Sequence, residues 1–326
     1  MADFILSGVL AASLTPLTKE LDPDTGKLIV HANWLLDNGC DGIAILGTTG
    51  EANSFSLKQR LDLIAQVAQR LPSEKMMIGT GCCAFTDTLS LTRAALASGC
   101  GNVLVLPTFY YKNQSDDSVY ATFAEVINRI GDERLRIFLY HFPQMSGTPI
   151  SIGVVERLIK TYPKTVVGLK DSSGEWDTNT SVLLKNFPGF ATFSGSEQFL
   201  LKNLQAGGPG CISATVNVTA PMAQTVIDLW RTGEEAAEGA QVQLTRVRQA
   251  LQKFPVIAAL KFLTSLRMGD ADWLNILLPH LNLPQAHRQE LLATLAEVEF
   301  FNHVTQFAVQ ETDRHSHRPA EPTSGL

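Results

Sequence analysis

Between residues 8 and 231, short apolar runs alternate with longer stretches whose apolar positions recur every three or four residues. The short runs fall at residues 8–14, 42–46, 76–79, 103–106, 137–140, 166–169, 191–193 and 211–214. Runs of this length, bounded by turn-forming residues, predict buried strands. The longer stretches predict helices at residues 57–71, 88–97, 118–130, 152–162, 178–187 and 220–230. In the first of these, apolar residues fall at 57, 61, 64, 67, 68 and 71, along one helical face. Strands alternating with helices imply parallel βαβ units, and eight such units predict an α/β fold of the (β/α)8 TIM-barrel type over residues 1–231. A doubly wound open sheet is the competing architecture. The count of units favours the barrel, and no Gly-x-Gly-x-x-Gly opens the first helix.

Past Trp230 the pattern becomes helical throughout, with helices predicted at 234–254, 256–266 and 286–301 and breaks at Pro255, Pro279 and Pro284. This predicts an all-helical appendage over residues 232–305 packed on the barrel. Residues 310–326 are polar and predict a disordered tail, in which His315 and His317 have no further ligands to form a metal site.

Composition narrows the function without naming it. A chain of 326 residues with 45% hydrophobic and 18% charged residues is ordinary for a soluble protein. A formal charge of −6, with cationic residues spread out, argues against nucleic acid and polybasic membrane surfaces as partners. Five cysteines give no even framework, and the Cys82–Cys83 pair has no second pair for zinc, so reduced thiols and no metal are expected. The N-terminus has no basic segment followed by a long apolar one, which points to a cytoplasmic protein.

In a (β/α)8 barrel the site forms at the C-terminal strand ends, so the polar residues ending each run carry the chemistry. The second run leads into Gly47-Thr48-Thr49-Gly50-Glu51, a tight loop whose N–H groups and two hydroxyls suit a carboxylate. It lacks the lysine and length of a phosphate-binding P-loop, and alone such a turn is commonly just a turn. The fourth run ends near Tyr110 and Tyr111, where packing is the ordinary role of aromatic residues. The fifth ends in Tyr140-His141; strand alternation aims Tyr140 at the barrel mouth and leaves His141 a structural role. The sixth ends in Gly168-Leu169-Lys170-Asp171-Ser172-Ser173-Gly174. Alternation places Val166, Gly168 and Lys170 on one face, with the glycine leaving space beside the lysine stem. A lysine in an apolar pocket is pushed toward its neutral form and can attack a ketone, although a solvated strand-end lysine is the plainer reading. Polar groups following the seventh and eighth runs could line the same pocket.

Taken together, Gly47–Glu51, Tyr110-Tyr111, Tyr140 with Pro143 and Gly147, Gly168-Leu169-Lys170 and residues 207–217 resemble, in order and spacing, the dihydrodipicolinate synthase / N-acetylneuraminate lyase family of pyruvate-dependent class I aldolases. The resemblance covers about residues 4–300. It implies a Schiff base between Lys170 and a 2-keto acid, with the carboxylate held by Thr48 and Thr49. It further implies Tyr140 as proton carrier, relayed through Thr48 and through Tyr111 from a neighbouring subunit. A homotetramer with neither metal nor organic cofactor is implied as well. Gly195, Ile212, Ser172, Glu197 and Gln198 are the further substrate-binding positions.

Departures bear on the substrate. Where dihydrodipicolinate synthases carry an arginine for the carboxylate of aspartate semialdehyde, this chain has Met145, and a thioether cannot replace a guanidinium. The polyol grip of sialic acid lyases is matched only in part by Ser172, Glu197, Gln198 and Ala214. The remaining resemblance is to aldolases and dehydratases of 2-keto-3-deoxy sugar acids. The expected activity is therefore cleavage of such an acid to pyruvate and an aldehyde. A dehydratase, a dihydrodipicolinate synthase and a non-catalytic keto-acid-binding barrel are the alternatives.

Overall fold

The computed structural model describes residues 6–304, so the tail expected at 310–326 lies outside the described residues. Eight parallel strands close into a barrel in sequence order. They are β1 (Gly8–Ala12), β2 (Gly42–Ile45), β3 (Met76–Gly79), β4 (Asn102–Val105), β5 (Arg136–His141), β6 (Val166–Asp171), β7 (Ala191–Ser194) and β8 (Gly210–Ser213). Between them run α1 (Thr25–Asp37), α2 (Leu57–Val67), α3 (Phe85–Ala97), α4 (Asp116–Ile130), the single turn α5 (Pro143–Ser146), α6 (Ile152–Thr161), α7 (Ser181–Asn186) and α8 (Leu200–Gln205). The strands read as unbroken apolar runs because both faces are covered, one by the barrel interior and the other by helices. Along β1, Leu10 and Ala12 join the interior cluster with Met77, Phe138 and Phe193, while Val9 and Ala11 join the outer shell.

Ring closure depends on two glycines. Gly8 and Gly210 are register partners of β1 and β8, with φ of 90° and 128°. A Cβ on Gly210 would stand 2.1 Å from the Gly8 carbonyl oxygen, so the seam admits no side chain there. Helix starts follow local chemistry: Ser56 caps α2 in a reciprocal pair with Gln59, and Ser115 and Ser151 cap α4 and α6.

One sequence expectation fails inside β6. The register between β5 and β6 shifts after Ile137, so Ile137 pairs with Val166 but Phe138 pairs with Gly168. Val166 consequently packs in the outer shell and Val167 against the interior, the reverse of simple alternation. Gly168 does face inward with Lys170, but it leaves no free space: a Cβ there would meet the Phe138 ring at 2.5 Å.

After β8 the chain continues as α9 (Val216–Arg231), α10 (Ala236–Gln252), α11 (Val256–Met268), α12 (Gln285–Glu297) and α13 (Phe300–His303). Helix α10 packs along α9 and α12, and α11 against α9 and the 271–274 turn. Asp24 caps α1, whose His31 is fully buried. The imidazole Nε2–H donates to Asn217 Oδ1 at 2.8 Å, and Nδ1 accepts from Arg267 Nη2 at 2.8 Å. Arg267 lies 3.7 Å above the Trp34 ring, so α1, α9 and α11 are fastened through one histidine. Burial and the adjacent guanidinium push His31 down to about 3. Among the described residues, no helix is long and apolar enough to cross a membrane.

Candidate active site

Lys170 ends the inward face of β6, with Tyr140 of β5 and Phe193 of β7 as its register neighbours. Its side chain is only 5% exposed, and Nζ stands 4.6 Å from the centre of the Tyr140 ring. The Tyr140 hydroxyl in turn lies 3.4 Å from Thr48 Oγ1, on the loop that follows β2. Amine, phenol and hydroxyl thus meet at one end of the barrel, below a cavity of about 900 Å³. Thr49, Ser172, Gly195 and Gln198 also border this cavity, as does Met145, which is largely exposed.

The loop after Lys170 is fixed by Asp171. Its Oδ1 accepts from the Ser173 N–H (2.9 Å) and hydroxyl (2.6 Å), and its Oδ2 from Asn179 (2.8 Å) and Thr180 (2.6 Å). Ser172 N–H donates to the His141 carbonyl at 2.8 Å, and Gly195 N–H to the Asp171 carbonyl at 2.6 Å. A Cβ on Gly195 would stand 2.2 Å from Ser172 Oγ, so these two positions form one wall of the cavity. His141 Nδ1 accepts from the Ile150 N–H at 3.1 Å, the structural role that alternation predicts.

A family model, the dihydrodipicolinate synthetase family, matches residues 5–298. The chain belongs to this family. An uncharacterized DapA-like lyase from Chloroflexus aurantiacus is 33% identical over 255 residues, 78% of this chain and 84% of that protein. The crystal structure of dihydrodipicolinate synthase from Agrobacterium tumefaciens superposes with a TM-score of 0.80 at 29% identity, covering 89% of this chain and 99% of that one. A variant of Sulfolobus solfataricus 2-keto-3-deoxygluconate aldolase gives a TM-score of 0.81 at 19% identity, covering 92% and 99%, a likeness of fold alone. As a member of this family the protein is a class I lyase.

Within this member of the dihydrodipicolinate synthetase family, three expected site residues stand away from the cavity. Glu197 is fully buried behind it rather than facing it. Its carboxylate accepts from Ser213 and Thr215, from Thr219 at 3.3 Å, and from Arg248 Nη1 at 2.8 Å. Burial works to raise its pKa, but the Arg248 charge and the hydroxyl donors more than offset this and hold the carboxyl below its ordinary value. Ile212 belongs to the packed interior layer of the barrel. Tyr111 is 77% exposed, edge-on to Tyr110, and does not border the cavity of its own chain.

Other lining residues carried no sequence signal. Arg248 and Gln252 of α10 reach the cavity, as do Pro255–Ala258 and the 279–284 segment with His280 and His287. Arg248 sits among charged and polar neighbours on an amphipathic helix, a pattern that reads as solvated face; only its pairing with Glu197, 51 positions earlier, shows otherwise. The appendage also braces the Thr48–Thr49 loop. Glu51, with φ of 57°, forms a fully buried ion pair with Lys261 of α11. Lys261 Nζ donates to the Asn275 carbonyl at 2.6 Å, and Glu51 Oε2 accepts from the Leu277 N–H at 2.7 Å.

Proposed function

We propose that the protein is a Schiff-base aldolase that cleaves a 2-keto-3-deoxy sugar acid to pyruvate and an aldehyde. The observation that carries this reading is the placement of Lys170 beside Tyr140, whose hydroxyl is within reach of Thr48. Thr48 and Thr49 hold the substrate carboxylate. The Lys170 amine adds to the C2 carbonyl, and the C2 oxygen leaves as water on a proton supplied by Tyr140, giving a protonated imine and a tyrosinate. The Tyr140 oxygen takes the proton of the C4 hydroxyl, the C3–C4 bond breaks, and its electron pair moves through C3 to the imine nitrogen as an enamine. The aldehyde departs, C3 is reprotonated, and water releases pyruvate and frees Lys170. We assign Tyr111 to the site of a neighbouring subunit in a homotetramer, since in its own chain it projects outward.

The substrate class rests on Met145, which puts a thioether at the rim where a short acceptor with a second carboxylate would need a cation. Pyruvate with borohydride should leave a reduced three-carbon adduct on Lys170, found by peptide mapping. No adduct, or an adduct on the other buried lysine, Lys261, overturns the mechanism. Side by side, condensation of pyruvate with aspartate semialdehyde should be at least about a hundredfold less efficient than cleavage of the best 2-keto-3-deoxy acid. A semialdehyde advantage would overturn the substrate class while leaving the imine intact.

A further inference from the structure

We propose that the guanidinium of Arg248, on an edge now covered by the Gln252 amide, forms a subsite for a second acidic group, a carboxylate or phosphate, at the far end of the substrate. This deepens the proposed function and rests on it. Both residues lie on α10 and border the cavity that Lys170 opens into. The two edges of the Arg248 guanidinium are used differently. Nη1 is committed to the cavity wall, donating to Glu197 (2.8 Å), Ser213 (2.7 Å) and Thr215 (2.8 Å). Among the described residues, the Nε–Nη2 edge meets only the Gln252 side chain, whose amide oxygen, turned toward it, accepts from both at 3.2 and 3.3 Å.

That second edge is a planar two-donor fork matched to the paired oxygens of a carboxylate or phosphate. Its present occupant is the neutral amide of an exposed side chain, which an anion can displace at little cost. Glu197 engages the guanidinium only through Nη1, directly and through the bridging hydroxyls of Ser213 and Thr215, so it leaves the Nε–Nη2 edge geometrically open to a second acceptor. The surrounding wall favours an anion too. His280 and His287 add imidazoles, and the lining acid Asp171 has both oxygens occupied by four donors.

Position separates this subsite from residue 145. The carboxylate loop follows β2, Met145 follows β5, and Arg248 is fastened to Ser213 at the end of β8. In the closed ring β8 lies three strands from β5, so this cation does not stand in for a guanidinium at residue 145. It stands on another side of the mouth, two strands from β2 and two from β6, and a cavity of about 900 Å³ has room for an acid well beyond three carbons to reach it.

The test is isothermal titration of the unreduced protein with 2-keto-3-deoxygluconate, its 6-phosphate and 2-keto-3-deoxyglucarate, which end in a hydroxyl, a phosphate and a carboxylate. At least one acid-ended compound should bind about tenfold or more tightly than the hydroxyl-ended one, and the better of the two identifies the group. Arg248 itself is a poor target, since its loss strands Glu197, so Gln252 is changed instead. Gln252→Glu fills the fork with a fixed carboxylate and should shrink the preference to within about twofold, whereas Gln252→Ala should keep or widen it. Melting curves confirm that both variants are folded. Equal or tighter binding of the hydroxyl-ended acid, or a preference that survives Gln252→Glu, overturns the subsite. Borohydride trapping on the same samples reads Lys170 separately, so a failed imine and a failed distal subsite give different results.

Discussion

Replacing Lys261 by methionine keeps the length and apolar body of the side chain while removing the cation that faces Glu51. Both partners are fully buried, so the carboxylate would keep the Leu277 N–H but lose its counter-charge. Stranding one member of a buried pair typically costs about 3–5 kcal/mol. At roughly 2–4 °C per kcal/mol for a large domain, the melting temperature should fall by about 10 °C. Adding Glu51→Gln to Lys261→Met removes both charges and should recover more than half of the loss. The single Glu51→Gln variant changes the pH dependence of stability. Burial already lowers the Lys261 pKa, with Glu51 opposing it, and the variant removes that opposition. The unfolded chain then binds more protons than the folded one between the depressed value and about 10.4. Stability must therefore rise with pH through that window, and the deficit must shrink. Urea titrations at several pH values, with circular dichroism as the probe, measure all three variants. Single variants within about 1 kcal/mol of the parent, or a double variant as weak as the sum of the singles, would refute the argument.

Three other outcomes are expected. Tyr140→Phe keeps the ring beside Lys170 but loses the hydroxyl near Thr48, so turnover should drop by about 10²–10⁴-fold with the melting curve little changed; near-parental turnover returns Tyr140 to a packing role. His31 is held down to about 3 by burial and Arg267, so between that value and about 6.5 protons favour the unfolded chain. Stability should fall toward acid by up to about 1.4 kcal/mol per pH unit, a slope that His31→Gln should flatten in denaturant titrations. Gly168→Ala forces a methyl against Phe138 Cδ1 (2.5 Å) and the Ala191 carbonyl (2.6 Å), and should cost about 1–3 kcal/mol together with part of the imine yield, read by chemical denaturation and by borohydride trapping.

What the sequence revealed and what it hid divide along a physical line. The barrel was legible because each strand is covered on both faces and so writes itself as an unbroken apolar run. Strand ends were legible for the same reason, and Lys170 and Tyr140 stand where a polar residue interrupts such a run. The offset in β6 was not, since a bulge is a property of pairing between Ile137 and Val166 and leaves no local mark on either segment. Glu197 looked like a pocket residue because it follows a strand end and matches a substrate-binding position of the family it resembles; its burial is decided by Arg248 and three hydroxyls from another part of the chain. The appendage was legible as helices but not as cavity wall, because the approach of α10 to the barrel mouth depends on long-range packing.

The glycine seam has a consequence for the newly made chain. A closed barrel has no edge strands, but this one closes only when β8 meets β1, some 200 positions after β1 was made. While the ribosome is still adding the residues between them, β1 has its partner β2 on one side and nothing on the other. An exposed parallel edge rich in apolar side chains is a template for pairing with other chains. Any side chain at Gly210 would therefore be felt most during synthesis: the finished ring would close poorly, and the open sheet would persist long enough for chaperones or neighbouring nascent chains to capture it.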